Sequence, residues 1–132
     1  MTKTTFTVAL LIALAVPPLQ AQAACKASDL GGRWDVYGMA DTFGFGATFD
    51  CVFAVNSRGR AARSICIARA QGEKARSVNR GSLRIRSNCL ISGQINGICE
   101  VNATMTRNKD VITGVYNCDA TGEVALFTMV RR

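Results

Sequence analysis

Cys99-Glu-Val-Asn-Ala-Thr-Met105 is the stretch on which the fold turns. Cys99, Val101, Ala103 and Met105 are apolar, while Glu100, Asn102 and Thr104 between them are polar. Side chains of a strand alternate faces with a period of two, so this is a half-buried β-strand. Ser82-Leu83-Arg84-Ile85-Arg86 alternates in the same way. Outward from these, the same reading gives strands at Arg33 to Gly38, Thr48 to Val55, Ala62 to Arg69, Cys89 to Ile95, Val111 to Asn117 and Val124 to Arg131. Turn formers separate them: Asn56-Ser-Arg-Gly59, Gln71-Gly72, Asn79-Arg-Gly81, Asn96-Gly97, Asn108-Lys109 and Thr121-Gly122. No long stretch carries helical periodicity, and Ser28 or Asp29 is placed to cap one short helical turn before the first strand. The expectation is an all-β antiparallel meander of about eight short strands, or seven if Ser87-Asn88 is not a boundary. It is folded as a sandwich or, as we expect, closed into a barrel, which removes exposed edges.

A short internal repeat points the same way. Ile91-Ser-Gly-Gln-Ile95 and Ile112-Thr-Gly-Val-Tyr116 share the pattern Ile-(Ser/Thr)-Gly-x-apolar. A glycine inside a strand marks a bend or a close backbone approach, as a small, tightly curved barrel needs.

The N-terminus has Lys3, an apolar run from Phe6 to Val16, Pro17 and Pro18, then Ala21-Gln22-Ala23. This is the layout of a secretory signal peptide with cleavage after Ala23. The run is too short to span a bilayer. Gln22 stands where a lipobox requires an aliphatic residue before Cys25. The chain therefore divides into a signal peptide at 1–23 and a single β domain at 24–132, exported to the periplasm or secreted.

Cys25, Cys51, Cys66, Cys89, Cys99 and Cys118 all lie in the exported part. An even count in a small exported domain reads as three disulfides. No Cys-x-x-Cys pair exists to hold a metal. Hairpin symmetry suggests the pairing. Across Asn56–Gly59, Val55 faces Ala62, Phe53 faces Ser64 and Cys51 faces Cys66. Across Asn108–Lys109, Met105 faces Ile112, Ala103 faces Gly114, Val101 faces Tyr116 and Cys99 faces Cys118. Elimination leaves Cys25 with Cys89. The rival map joins Cys89 to Cys99 and Cys25 to Cys118.

The chain has no histidine, which removes Ser-His-Asp and Cys-His catalysis and histidine metal ligands. The nine carboxylates are scattered singly. No phosphate loop, nucleophile elbow or metal motif occurs. The reading is non-enzymatic, with no cofactor and no metal.

From Arg58 to Arg86 nine residues are basic and only Glu73 opposes them. Arginine presents a planar fork suited to carboxylate or phosphate. Arg76, Arg80, Arg84 and Arg86 are the candidate contacts for an anionic partner: lipopolysaccharide, a phospholipid headgroup, a polyanion or an acidic protein. The alternative is a solubilising surface. Nucleic acid is disfavoured, because no aromatic residue lies between Phe53 and Tyr116 to stack on bases. A second candidate is the glycine-flanked loop Gly38 to Gly46, where Phe43 and Phe45 either form a lid or partner contact or fold inward as a plug.

Gly32-Arg33-Trp34 resembles the Gly-x-Trp of the calycin group, which includes avidin-like and lipocalin barrels, and Ile112-Thr-Gly-Val-Tyr116 resembles avidin-like strands. In lipocalins a basic residue of the last strand packs near that tryptophan, a part the resemblance assigns to Arg131 or Arg132. Avidin-like biotin sites are lined by several tryptophans and this chain has only Trp34, so the resemblance implies architecture and not biotin. The sequence thus suggests an exported binding protein for an anionic envelope or extracellular partner, the alternative being a secreted hydrolase inhibitor that presents rigid loops.

Overall fold

In the computed structural model residues 24–42 and 44–132 are described. The proposed signal peptide, 1–23, lies outside them, as does Phe43. Eight antiparallel strands follow one short 3-10 turn at Ala27–Leu30: β1 Gly32–Thr42, β2 Phe45–Val55, β3 Arg60–Ala70, β4 Glu73–Ile85, β5 Leu90–Ile95, β6 Cys99–Met105, β7 Val111–Cys118 and β8 Glu123–Arg131. Each strand pairs with the next, and β8 returns to β1, so the meander closes into a barrel.

The two hairpin registers differ in how closely they follow the symmetry expected from sequence. Across β6 and β7, Met105 pairs with Ile112, Ala103 with Gly114 and Val101 with Tyr116, as expected. Across β2 and β3, Cys51 pairs with Cys66, but Val55 pairs with Ala61 rather than Ala62. A bulge near the turn absorbs the difference. Ala62 and Arg63 are both exposed there, and Ser64 is buried with its hydroxyl on the Ala62 carbonyl at 3.0 Å. Cys25 joins Cys89, Cys51 joins Cys66 and Cys99 joins Cys118, which excludes the rival map.

Three local expectations are corrected. Asn79-Arg-Gly81 is not a turn, because β4 runs straight through it to Glu73. Gly81 sits there between β3 and β5, its missing side chain leaving room for the Gln94 carbonyl and Ala61. The Gly38 to Gly46 loop is instead the tip of the β1–β2 hairpin, with Met39↔Thr48, Ala40↔Ala47 and Asp41↔Gly46 in register. The short helical turn is preceded by Lys26. Asp29 lies inside it and accepts the Lys26 backbone N–H at 2.9 Å.

The lower end of the barrel holds the N-terminal segment and the turns at 56–59, 86–89 and 106–110. Trp34 is fully buried there and donates its indole N–H to the Leu30 carbonyl at 2.9 Å. The Arg131 guanidinium lies 4.3 Å over the Trp34 ring and donates to the carbonyls of Gly31, Asp29 and Lys109. Arg132 turns away to Asp35. Lys109 pairs with Asp29 at 2.8 Å and lowers the pKa of that carboxyl. This end is sealed. Gly93 and Gly114, the repeated glycines, face β4 and β6 so closely that a Cβ would lie 2.1 Å from the Ser82 carbonyl oxygen and 2.4 Å from the Ala103 Cβ.

Candidate functional site

Several inward positions of the upper half hold small residues. Ala40, Ala47, Ala68 and Ser77 stand there, whereas the lower half has Trp34, Phe53, Met105 and Ile112. The space they leave is a cavity of about 370 Å³ above a floor that includes Phe53, Leu83, Ile112 and Met129. Two disulfides, Cys51–Cys66 and Cys99–Cys118, form part of its walls. Phe49 and Tyr116 meet in its upper part with ring centroids 5.9 Å apart.

Polar groups gather at the rim. The Tyr116 hydroxyl donates to the Glu123 carboxylate. Burial first, and then that hydrogen bond, push the phenol well above its ordinary pKa. Asn96 donates to Asn79 at 2.7 Å and accepts the Arg80 backbone N–H at 3.0 Å. The cavity can therefore take a molecule with an apolar body and hydrogen-bonding groups at one end. Sequence reading missed it. The available signal was the run of small residues at inward positions of β2, β3 and β4.

The sequence-derived arginines sit on the outer surface. Arg76, Arg80 and Arg84 occupy alternate outward positions of β4. Their spacing of four residues corresponds to about 13 Å along a strand. Arg86 lies one residue past β4, in the turn that closes on Leu90. Arg60, which sequence reading did not single out, pairs with Ser82. That places it diagonally between Arg80 and Arg84, within about 7–8 Å of each backbone. Among the described residues no carboxylate pairs with Arg60, Arg76, Arg80 or Arg84, whereas Arg69 pairs with Asp50. Phe45 opens β2 at the hairpin tip beside the rim.

No protein-family model matches the chain, and no curated protein matches it. Among solved structures it is similar to a de novo designed fluorescence-activating β-barrel, with a TM-score of 0.52 and 14% identity over 82% of this chain and 99% of that one. A redesigned β-barrel aligns over 86% of this chain and 97% of its own, with a TM-score of 0.49 and 16% identity. The likeness is one of fold. A calycin-like barrel is compatible with it. The three disulfides fit an oxidising compartment. Among the described residues no helix is long and apolar enough to cross a membrane.

Proposed function

We propose that this chain is an exported, non-enzymatic binding protein that takes a small, largely apolar molecule into the upper half of its barrel. The cavity carries the reading. A dry apolar cavity of about 150 Å³ admits benzene, so one of about 370 Å³ has room for a body of two or three rings. Ligand sites are commonly apolar with a few polar groups that fix orientation, and Tyr116, Glu123, Asn79 and Asn96 stand at the rim to do so. Export rests on the signal-like N-terminus and the three disulfides. The protein recovered after expression with residues 1–23 should begin at Ala24 and contain no free thiol.

The test is titration with 1-aminoanthracene, a neutral three-ring fluorophore. Its emission should rise and shift to the blue. Ala68→Trp, which fills the cavity from its wall, should abolish the response. Leu126→Ser, at an exposed position on the outer face, should leave it unchanged. The reverse pattern would place the probe on the outside and refute the reading.

A second reading is favoured by the uncompensated arginines: an anionic partner on the outer face of β3 and β4. Under it, Arg80→Glu with Arg84→Glu weakens binding to anionic vesicles or acidic protein. Wild-type binding falls as salt rises, since charges more than about 8 Å apart are screened at ~0.15 M. A stoichiometric, salt-tolerant inhibition of a hydrolase would favour the inhibitor alternative instead.

A further inference from the structure

The barrel is closed by an uneven seam. β4 runs from Glu73 to Ile85 and is covered on one edge by β3 from Glu73 to Ser82. On its other edge β5 covers only Gly81 to Ile85. The last backbone groups satisfied on that edge are those of Arg80, whose carbonyl accepts the Asn96 N–H at 2.8 Å and whose N–H meets the Asn96 side chain.

The pairing pattern shows which groups remain. The Cα atoms of Cys51 and Cys66 are 4.1 Å apart, the close spacing of a pair that exchanges no backbone hydrogen bonds. The backbone of Cys66 is thus directed at β4, where it pairs with Ser77. Backbone groups alternate sides along a strand, so the N–H and C=O of Lys74, Arg76 and Val78 are directed to the uncovered edge. Their side chains all lie on the outer face.

We propose that this edge of β4 is a docking strand for an extended acidic segment of a partner protein, which adds to the barrel as a further strand. The inference rests on the anionic-partner reading and deepens it. Strand addition takes affinity from main-chain hydrogen bonds and specificity from alternate side chains. A segment laid here presents every second side chain beside Lys74, Arg76, Val78 and Arg80. Opposite charges across a strand pair are favourable and like charges unfavourable, so those positions call for aspartate or glutamate. The same rule argues against a second copy of this chain. Every antiparallel register of two β4 edges that engages Lys74, Arg76 and Val78 sets a cation opposite a cation. Edge cations guard against self-association while leaving the backbone groups open to an acidic strand.

The test uses the disulfide-bonded protein and a capped peptide that alternates glutamate with valine. A second peptide of the same sequence has N-methyl groups on the edge that would face β4. The unmodified peptide should bind with salt-sensitive affinity and slow the hydrogen exchange of the Lys74, Arg76 and Val78 amides. N-methylation should weaken binding about tenfold or more, since the charge is kept and the backbone bonds are lost. Val78→Pro, tolerated at a strand edge, should cause a similar loss while melting temperature and circular dichroism stay unchanged. Equal binding of both peptides, with no amide protection, would overturn strand addition and leave the anionic-partner reading standing. Failure of the acidic peptides and of anionic vesicles alike would overturn both.

Discussion

Replacing Arg131 with methionine removes the sealed end's central donor while keeping most of the side chain's stem. In the structure the guanidinium gives Nη1 to Gly31 at 2.6 Å, Nη2 to Asp29 at 2.5 Å and Nε to Lys109 at 3.0 Å, all to backbone carbonyls. Hydrogen bonds to charged groups contribute about 1.5–3 kcal/mol each. These carbonyls are only partly buried and recover water in the variant, so about 1 kcal/mol apiece is the fitting figure. The stacking of the cation on Trp34 adds about 0.5–1 kcal/mol. The expected loss is therefore about 3–4 kcal/mol, and for a domain of this size about 12–16 °C in melting temperature. Arg131→Lys keeps the charge but not the three-way fork, so it should recover less than half of that loss. Thermal and urea melts at fixed pH decide the matter. A drop below about 3 °C in the methionine variant would show that the three carbonyls are as well served by water, and that the seal depends on Leu30 and Trp34 packing instead.

The Cys25–Cys89 link spans 64 residues and Cys51–Cys66 spans 15, which by loop entropy gives about 4 against about 3 kcal/mol; in urea melts the alanine pair at Cys25 and Cys89 should be the less stable, and the opposite order would refute the entropic account. The Lys109 hydrogen bond holds the Asp29 carboxyl below its ordinary 3.8, so its stabilisation is full above that value and vanishes as pH falls through the folded one. Asp29→Asn should thus destabilise more at about pH 7 than at about pH 2, and an equal cost at both would contradict this. Tyr116 is held protonated by burial and by Glu123, so the difference spectrum between the wild type and Tyr116→Phe should show no tyrosinate at about pH 11 while the protein is folded.

How far the sequence could be read depended on what each strand had on its two faces. β6 has a buried face and a wet face along its whole length, and its partner follows after a short turn. Its alternation therefore gave both the strand and the register that joins Cys99 to Cys118. β2 and β3 were readable as strands, but the bulge at Ala62 and Arg63 was not. Nothing in Ala61-Ala62-Arg63-Ser64 shows which alanine points inward. The upper part of β4 was missed altogether. From Glu73 to Asn79 its inward positions are Glu73, Ala75, Ser77 and Asn79, so there is no apolar period to detect, and Asn79-Arg-Gly81 then read as a turn. The cavity escaped for a related reason. Alternation reports which face is inward, whereas the size of an interior space depends on which small residues from non-neighbouring strands come to the same height.

That missing period in β4 has a structural cause that links the cavity to the free edge. β3 and β4 have 11 and 13 residues, while β5 and β6 have 6 and 7. The uncovered part of β4 extends on the order of 20 Å above the β5 rim. Near the top of that wall inward side chains are left open to water. Ala75 and Ser77 are exposed although they occupy inward positions. A leucine or valine there would be apolar surface in water, and a run of them beside an open strand edge would invite aggregation. Small inward residues and cationic outward ones satisfy both constraints. The small residues continue down the wall as Ala68, Asn79 and Gly81 and help to keep the upper barrel empty. The cations, Lys74, Arg76 and Arg80, flank the backbone groups that β5 is too short to reach. The short β5 leaves this edge unpaired, and the small inward residues and outward cations of β4 lie beside it. The cavity rim, through Asn79 and Asn96, also lies beside the edge that an acidic strand would occupy.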